Sequence, residues 1–406
     1  MTSDNTKQFL VAPAVDPGLW LLDPAVVFLN HGSFGSCPRA VLEFQQETRH
    51  RLEWQPVQFL VRELEELLDA ARASLADFVG ADPADLVFVP NATAGVNTVL
   101  RSRRFASGDE LLVTNHEYNA CRNALNFAAE QAGARVVEVA VPFPLRSAEE
   151  ITAAVLAAVT PRTKLALLDH VTSQTGLVFP IERLARALGE RGIDVQVDGA
   201  HAPGMVPLNL RELGAAYYTG NCHKWLCAPK GAGFLHVRRD RQQGLRPLAI
   251  SHGANSPRTD RSQFQIEFGW MGTWDPSAVL SVPEALRDVG SLVPGGWPEI
   301  MRRNRALALA GRRILCAALS IDAPAPEECI GSLASVPIPN ANDVAPPTSP
   351  LYADPLQDWL RLEHNIEVPV IPWPAPPKRL LRISAQLYNS LPQYERLAGA
   401  LKQALG

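Results

Sequence analysis

The sequence predicts an α/β fold: a mainly parallel sheet sandwiched by helices, followed by a smaller C-terminal α+β domain. Two observations carry this expectation. Five short β-rich runs, LVFV (86–89), ELLVT (110–114), RVVEVAV (135–141), KLALLDHV (164–171) and IDVQVD (193–198), are separated mostly by helical patterns near 95–104, 119–132, 148–158 and 181–190. Strands that alternate with helices pair in parallel and are buried on both faces, which is why their apolar character is nearly continuous. After about residue 285 the alternation stops and prolines gather.

Taken in order, Phe59, Leu60, Leu64, Leu67, Leu68, Ala71, Leu75 and Phe78 recur at helical spacing and define one amphipathic helix. The five strand runs follow, and in a sheet of this kind the residues just beyond the carboxyl ends of the strands build the site. Downstream come a helix over 298–318, the proline-rich segments 321–329 and 344–350, a helix over 355–364, strands at 366–371 and 379–384, and a final helix from 391. The prolines mark loops. The expected division is an N-terminal arm (1–26), a large domain (27–285) and a small domain (286–406) against which the arm can pack.

Composition narrows the class. The 406 residues are 47% hydrophobic and 20% charged, ordinary for a packed globular chain of two domains. The formal charge of −4 and the shortness of the basic runs at 101–104 and 238–241 argue against a nucleic-acid partner. Six cysteines (37, 121, 222, 227, 316 and 329) are scattered, without metal-ligand spacing or a disulfide framework. No run approaches the roughly 18 apolar residues of a membrane span, and no basic segment leads into an apolar one near the start. The expectation is a cytoplasmic protein without metal.

Three segments carry chemistry. Asp198 closes a strand, where a carboxylate either caps the next turn or faces a ligand. Lys224, in NCHKWLCAPKGAG, sits among aromatic, apolar and glycine residues, where burial lowers an amine's pKa and favours a nucleophile. Asn91-Ala92-Thr93-Ala94-Gly95 leads from a strand into a helix, as either a plain N-cap or an anion site.

These segments, with LNHGSFGSCPRAV (29–41), NHEYNACRNAL (115–125), HVTSQTGLVFP (170–180), VDGAHAPGMVPLNL (197–210), GNCHKWLCAPKGAGFL (220–235) and GWMGTWDPSAVLSVPEAL (269–286), resemble the class V aminotransferase family of fold-type I pyridoxal-phosphate enzymes. The likeness is closest to its isopenicillin N epimerase-like branch, and cysteine desulfurases belong to the same family. It spans 25–290 strongly and the remainder more loosely. The motifs are specific for the cofactor and much less so for the substrate.

The resemblance implies pyridoxal 5'-phosphate bound as an imine to Lys224, with Asp198 on the pyridine nitrogen to strengthen the ring as an electron sink. It implies His201 and Ser173 toward the phenolic oxygen, Ala200 on one ring face, and Ala92, Thr93, Asn221 and His223 around the phosphate. Ser173 stands where desulfurases have asparagine. Gly272 and Thr273 would reach that phosphate across a homodimer interface. The second ring face is covered by His116 on likeness to the desulfurases, or by Tyr118 on likeness to the epimerase-like branch, which we favour. Arg382 would grip the substrate's α-carboxylate, with Asn30 and Gly32 near the substrate.

The implied reaction begins with removal of the α-proton of a small-molecule amino acid by the lysine amine. Epimerisation then needs an acid on the opposite face, for which Tyr118 or His116 is available. Rival outcomes are C–S or β-elimination, as in hercynylcysteine sulfoxide lyases, and transamination. A desulfurase would need a cysteine on a mobile loop, whereas Cys329 adjoins an expected strand.

Overall fold

A computed structural model of the chain describes residues 10–341 and 354–405. The central sheet has seven strands: β1 (Leu86–Val89), β2 (Glu110–Thr114), β3 (Arg135–Val139), β4 (Thr163–Asp169), β5 (Asp194–Gly199), β6 (Tyr217–Asn221) and β7 (Gly233–Val237). Their spatial order is β1-β7-β6-β5-β4-β2-β3. The pairs β3–β2, β2–β4, β4–β5 and β5–β6 are parallel, and β7 runs antiparallel to both neighbours. The fold is therefore α/β with a mainly parallel sheet, as the alternating pattern predicts. In β2, Leu112 belongs to one apolar layer while Leu111 and Val113 belong to the other, so the strand packs against helices on both faces.

Helix α1 (Arg39–Trp54) precedes α2 (Leu64–Val79), and the expected helix over 59–78 resolves into a wider turn, Gln58–Glu63, that leads into α2. Helix α3 (Ala92–Ser102) begins three residues earlier than its periodicity suggests, because the Asn91 side chain accepts a hydrogen bond from the Ala94 amide and caps it. Ala92 and Thr93 thereby form its first turn. Helix α4 (Asn119–Ala132) starts directly after Tyr118.

A second sheet holds Leu333–Ile338, Val370–Pro372 and Arg379–Ser384, all antiparallel, with Arg379–Ser384 in the centre. The run at 366–371, expected as one strand, is two: Ile366–Glu367 pairs in parallel with Val27–Phe28, and Val370–Pro372 joins the second sheet. Pro369 separates them, since it has no amide to continue a ladder. The 344–350 proline segment and residues 1–9 of the expected arm lie outside the described residues. Among the described residues no helix is long and apolar enough to cross a membrane.

Candidate active site

The carboxyl ends of the parallel strands bring the site residues together. Asp198 ends β5 beside Asp169 of β4, its register partner. It is buried, accepts a hydrogen bond from the Ala200 amide at 2.9 Å on Oδ1, and accepts one from the Cys121 thiol at 3.1 Å on Oδ2. Cys121 lies on α4, and burial and then Asp198 push its thiol well above the ordinary range. Glu117 is also buried here, with Glu117, Cys121 and Asp198 ligand atoms within 4.8 Å of one another. Burial, then the neighbouring carboxylates, raise both Glu117 and Asp169 well above the usual carboxylate range.

Lys224 follows β6 in a turn and is half-buried. Its Nζ lies 3.1 Å from His201 Nε2, and Trp225 Nε1 donates to His201 Nδ1 at 3.4 Å. A neutral His201 whose Nδ1 accepts from Trp225 carries its proton on Nε2 and donates it to Lys224, which requires a lone pair on Nζ. Desolvation, reinforced by the Arg382 cation and opposed by Asp198, lowers the Lys224 amine to about 7. Burial, then the Lys224 cation, holds His201 well below its ordinary value. The lowering of Lys224 describes an amine that is readily neutral. His31 fixes the lysine's backbone: Nε2 lies 3.0 Å from the Lys224 carbonyl and Nδ1 lies 2.8 Å from the Tyr388 hydroxyl. Gly35 packs so tightly on this turn that an added Cβ would lie 2.0 Å from the His223 carbonyl oxygen.

Arg382 reaches in from the second sheet. Its Nη1 donates to the Ser173 carbonyl at 2.6 Å and hydroxyl at 3.3 Å, and its Nη2 donates to Ser33 Oγ at 2.8 Å. Asn30 accepts from Ser33 Oγ at 2.6 Å and donates to Glu367 at 3.1 Å. The Gly32 amide donates to Ser384 Oγ at 3.0 Å.

At the start of α3, Asn221 Oδ1 accepts from the Ala92 amide at 2.8 Å. Among the described residues no acceptor engages the Thr93 amide or hydroxyl, so both remain donors at a helix N-terminus. His223 Nδ1 is 3.0 Å from the Ala232 carbonyl, and burial lowers this histidine to about 4.

His116 and Tyr118 part company. His116 is fully buried among Phe143, Phe179 and Trp373, with Nδ1 2.7 Å from Thr175 Oγ1 and Nε2 3.1 Å from the Val141 carbonyl. Tyr118 is 39% exposed. Gly272 (φ 117°) and Thr273 lie on a separate turn, and Thr273 is exposed. Cys329 is buried in a short turn, Glu327–Cys329, ahead of the strand. An open cavity of about 1120 Å³ lies instead at the amino ends of the strands, where Lys164, Asp194 and Tyr217 line it.

Sequence reasoning left Cys121, Glu117, Ser33 and His31 without roles. Ser33 and His31 lie within the singled-out LNHGSFGS segment, but their partners are Arg382 and Lys224, far along the chain.

A parallel sheet whose strand ends gather a buried aspartate, a readily neutral lysine and helix-end donors defines a cofactor-dependent enzyme site. The family model for class V aminotransferases matches residues 36–341, and the chain belongs to that family, with pyridoxal 5'-phosphate as its cofactor. The chain is 36% identical over 404 residues to isopenicillin N epimerase of Streptomyces clavuligerus, covering 96% of this chain and 97% of that protein. It is 32% identical over 414 residues to putative L-cysteine desulfhydrase 1 of Oryza sativa subsp. japonica, covering 94% and 83%. Among solved structures it resembles a C-DES variant with glycine covalently linked to the PLP cofactor, with a TM-score of 0.76, 22% identity and coverage of 94% and 97%. That likeness bears on the fold.

Proposed function

We propose that this chain abstracts the α-proton of a small amino acid and returns a proton to the opposite face, as an amino-acid epimerase or racemase. The observation that carries the reading is Lys224: its amine lies 3.1 Å from His201 and is lowered to about 7, chiefly by burial and then by the nearby Arg382 cation. The chain's residues fit pyridoxal phosphate, since Thr93 keeps two donors at the start of α3 while Asp198 and Lys224 are held at adjacent strand ends. Bound there, the cofactor supplies an electron-accepting ring that makes the substrate's Cα–H acidic.

Lys224 would hold the cofactor covalently and, once released, take the α-proton on Nζ. Asp198 would pair with the pyridine nitrogen, steadied by the Ala200 amide and the Cys121 thiol. Thr93, Asn221 and His223 would hold the phosphate, while His201 and Ser173 would approach the phenolic oxygen and Ala200 one ring face. The Ala92 amide contributes indirectly, because it orients Asn221. Tyr118 would cover the other face and return the proton; its exposure supports this, whereas His116 has both ring nitrogens engaged in an aromatic pocket. Arg382 would exchange the Ser173 oxygens for the substrate carboxylate while Ser33 Oγ goes on accepting from Nη2. Asn30 and Gly32 would shape the loop beside it. The exposed Gly272–Thr273 turn would complete the site of a partner copy in a homodimer.

Similarity to a putative L-cysteine desulfhydrase supports a second reading, elimination at Cβ with release of a thiol or sulfide. Incubation in heavy water separates the two. Solvent deuterium at Cα with loss of optical activity supports the epimerase, and pyruvate with a released thiol or sulfide supports the lyase. Absence of both products across a panel of L- and D-amino acids and cysteine conjugates would refute the proposal.

A further inference from the structure

Three hydrogen bonds connect Arg382 to a distant carboxylate through two side chains. Arg382 Nη2 donates to Ser33 Oγ at 2.8 Å, Ser33 Oγ donates to Asn30 Oδ1 at 2.6 Å, and Asn30 Nδ2 donates to Glu367 Oε1 at 3.1 Å. The direction of every bond is fixed. A guanidinium can only donate, so the serine must accept from it and spend its single proton on Asn30 Oδ1; the amide NH₂ then points to Glu367. The chain runs from a cation to an anion through two neutral groups.

The order has a chemical consequence. Were Glu367 to meet the guanidinium directly, it would form a charge-assisted, two-pronged pair that an incoming carboxylate would have to break. With Ser33 between them, Nη2 is aimed by a neutral acceptor, and the guanidinium keeps its charge for an incoming carboxylate. The cation also remains near Lys224, whose amine it helps to lower. The residue before the serine is held: the Gly32 amide is tied to Ser384, and a Cβ at Gly32 would lie 2.6 Å from Leu333, so the backbone there has little room to shift.

We propose that Ser33 is a positioning residue for Arg382, the middle of a directed Arg382–Ser33–Asn30–Glu367 chain that aims the guanidinium at the carboxylate of the amino-acid substrate. This rests on the reading of Arg382 as the carboxylate-binding group. Hydrogen bonds to charged groups contribute about 1.5–3 kcal/mol, so losing one corresponds to roughly a 10- to 100-fold loss of affinity.

The experiment titrates the holoenzyme with L-alanine and, separately, with ethylamine, which is L-alanine without its carboxylate, following the cofactor's visible band. Ser33→Ala weakens L-alanine about tenfold or more and leaves ethylamine unchanged, while Ser33→Thr, which keeps the hydroxyl, restores the wild-type value. Thermal melting of the cofactor-free variants confirms that each folds. Equal effects of Ser33→Ala on both ligands, or none on either, would overturn the proposal. Arg382→Ala separates this failure from that of the parent reading: if it spares L-alanine affinity, the carboxylate assignment of Arg382 falls, and if it abolishes that affinity while Ser33→Ala does not discriminate, only the positioning role falls.

Discussion

Gly35→Ala tests whether the loop before α1 sets the position of the turn that carries Lys224. Gly35 has φ 70° and ψ 170°, a backbone region open almost only to glycine, and a side chain there costs about 1–3 kcal/mol. Its Cβ would also stand 2.0 Å from the His223 carbonyl oxygen and 2.9 Å from Lys224 Cα. Restoring an ordinary 3.4 Å contact requires the backbone at 223–224 to retreat by about 1.4 Å. Overpacking of that kind costs a further 1–3 kcal/mol or so. The sum, about 2–6 kcal/mol, is a large fraction of a typical stability of 5–15 kcal/mol. Because Lys224 Nζ meets His201 at 3.1 Å, a shift of that size also breaks this bond. Urea unfolding gives the stability, and the rate at which the cofactor-free protein captures pyridoxal phosphate covalently reports the lysine. Gly399→Ala is the control: it lies within the helix Leu391–Leu405, and no atom stands within 4 Å of where its methyl would go, so it leaves capture unchanged and stabilises slightly. A Gly35→Ala protein with wild-type unfolding midpoint and capture rate would refute the packing argument.

Three further outcomes follow from the same structure. Only a neutral amine attacks an aldehyde, so the capture rate rises with pH through about 7 and then levels, and is absent in Lys224→Ala; a midpoint near that of an ordinary lysine would contradict the burial argument. Glu110 accepts from Arg135, Arg162 and Thr160, which hold its carboxyl at about 2, below its unfolded 4.5. Its contribution to stability is therefore full above about pH 4.5 and is lost as the pH falls through about 2, so the unfolding midpoints of wild type and Glu110→Gln, separate at pH 7, draw together below pH 4.5 and converge only near pH 2. Cys329 is buried and raised to about 11, chiefly by that burial, so alkylation of the native protein at pH 8 is slow there, and Cys329→Ala leaves any sulfide release intact.

What the sequence by itself determined was local. The segment 165–168 (Leu-Ala-Leu-Leu) of the run KLALLDHV is apolar on both faces, and that property makes it a central parallel strand wherever the chain goes. Lys224 and Asp198 were legible for a similar reason: each stands at a strand end within a stretch of small and apolar residues that leaves a charged group little solvent. Tertiary structure decided which groups meet. Nothing in the pattern says that β7 turns back between β1 and β6, or that the run at 366–371 divides between two sheets, because pairing depends on which edge is available once other strands are placed. Likewise Ser33 and Arg382 are 349 positions apart, and His31 and the Lys224 carbonyl 193. Hydrogen-bond partners at such separations are chosen by the packing of the whole core, which no sequence window spans.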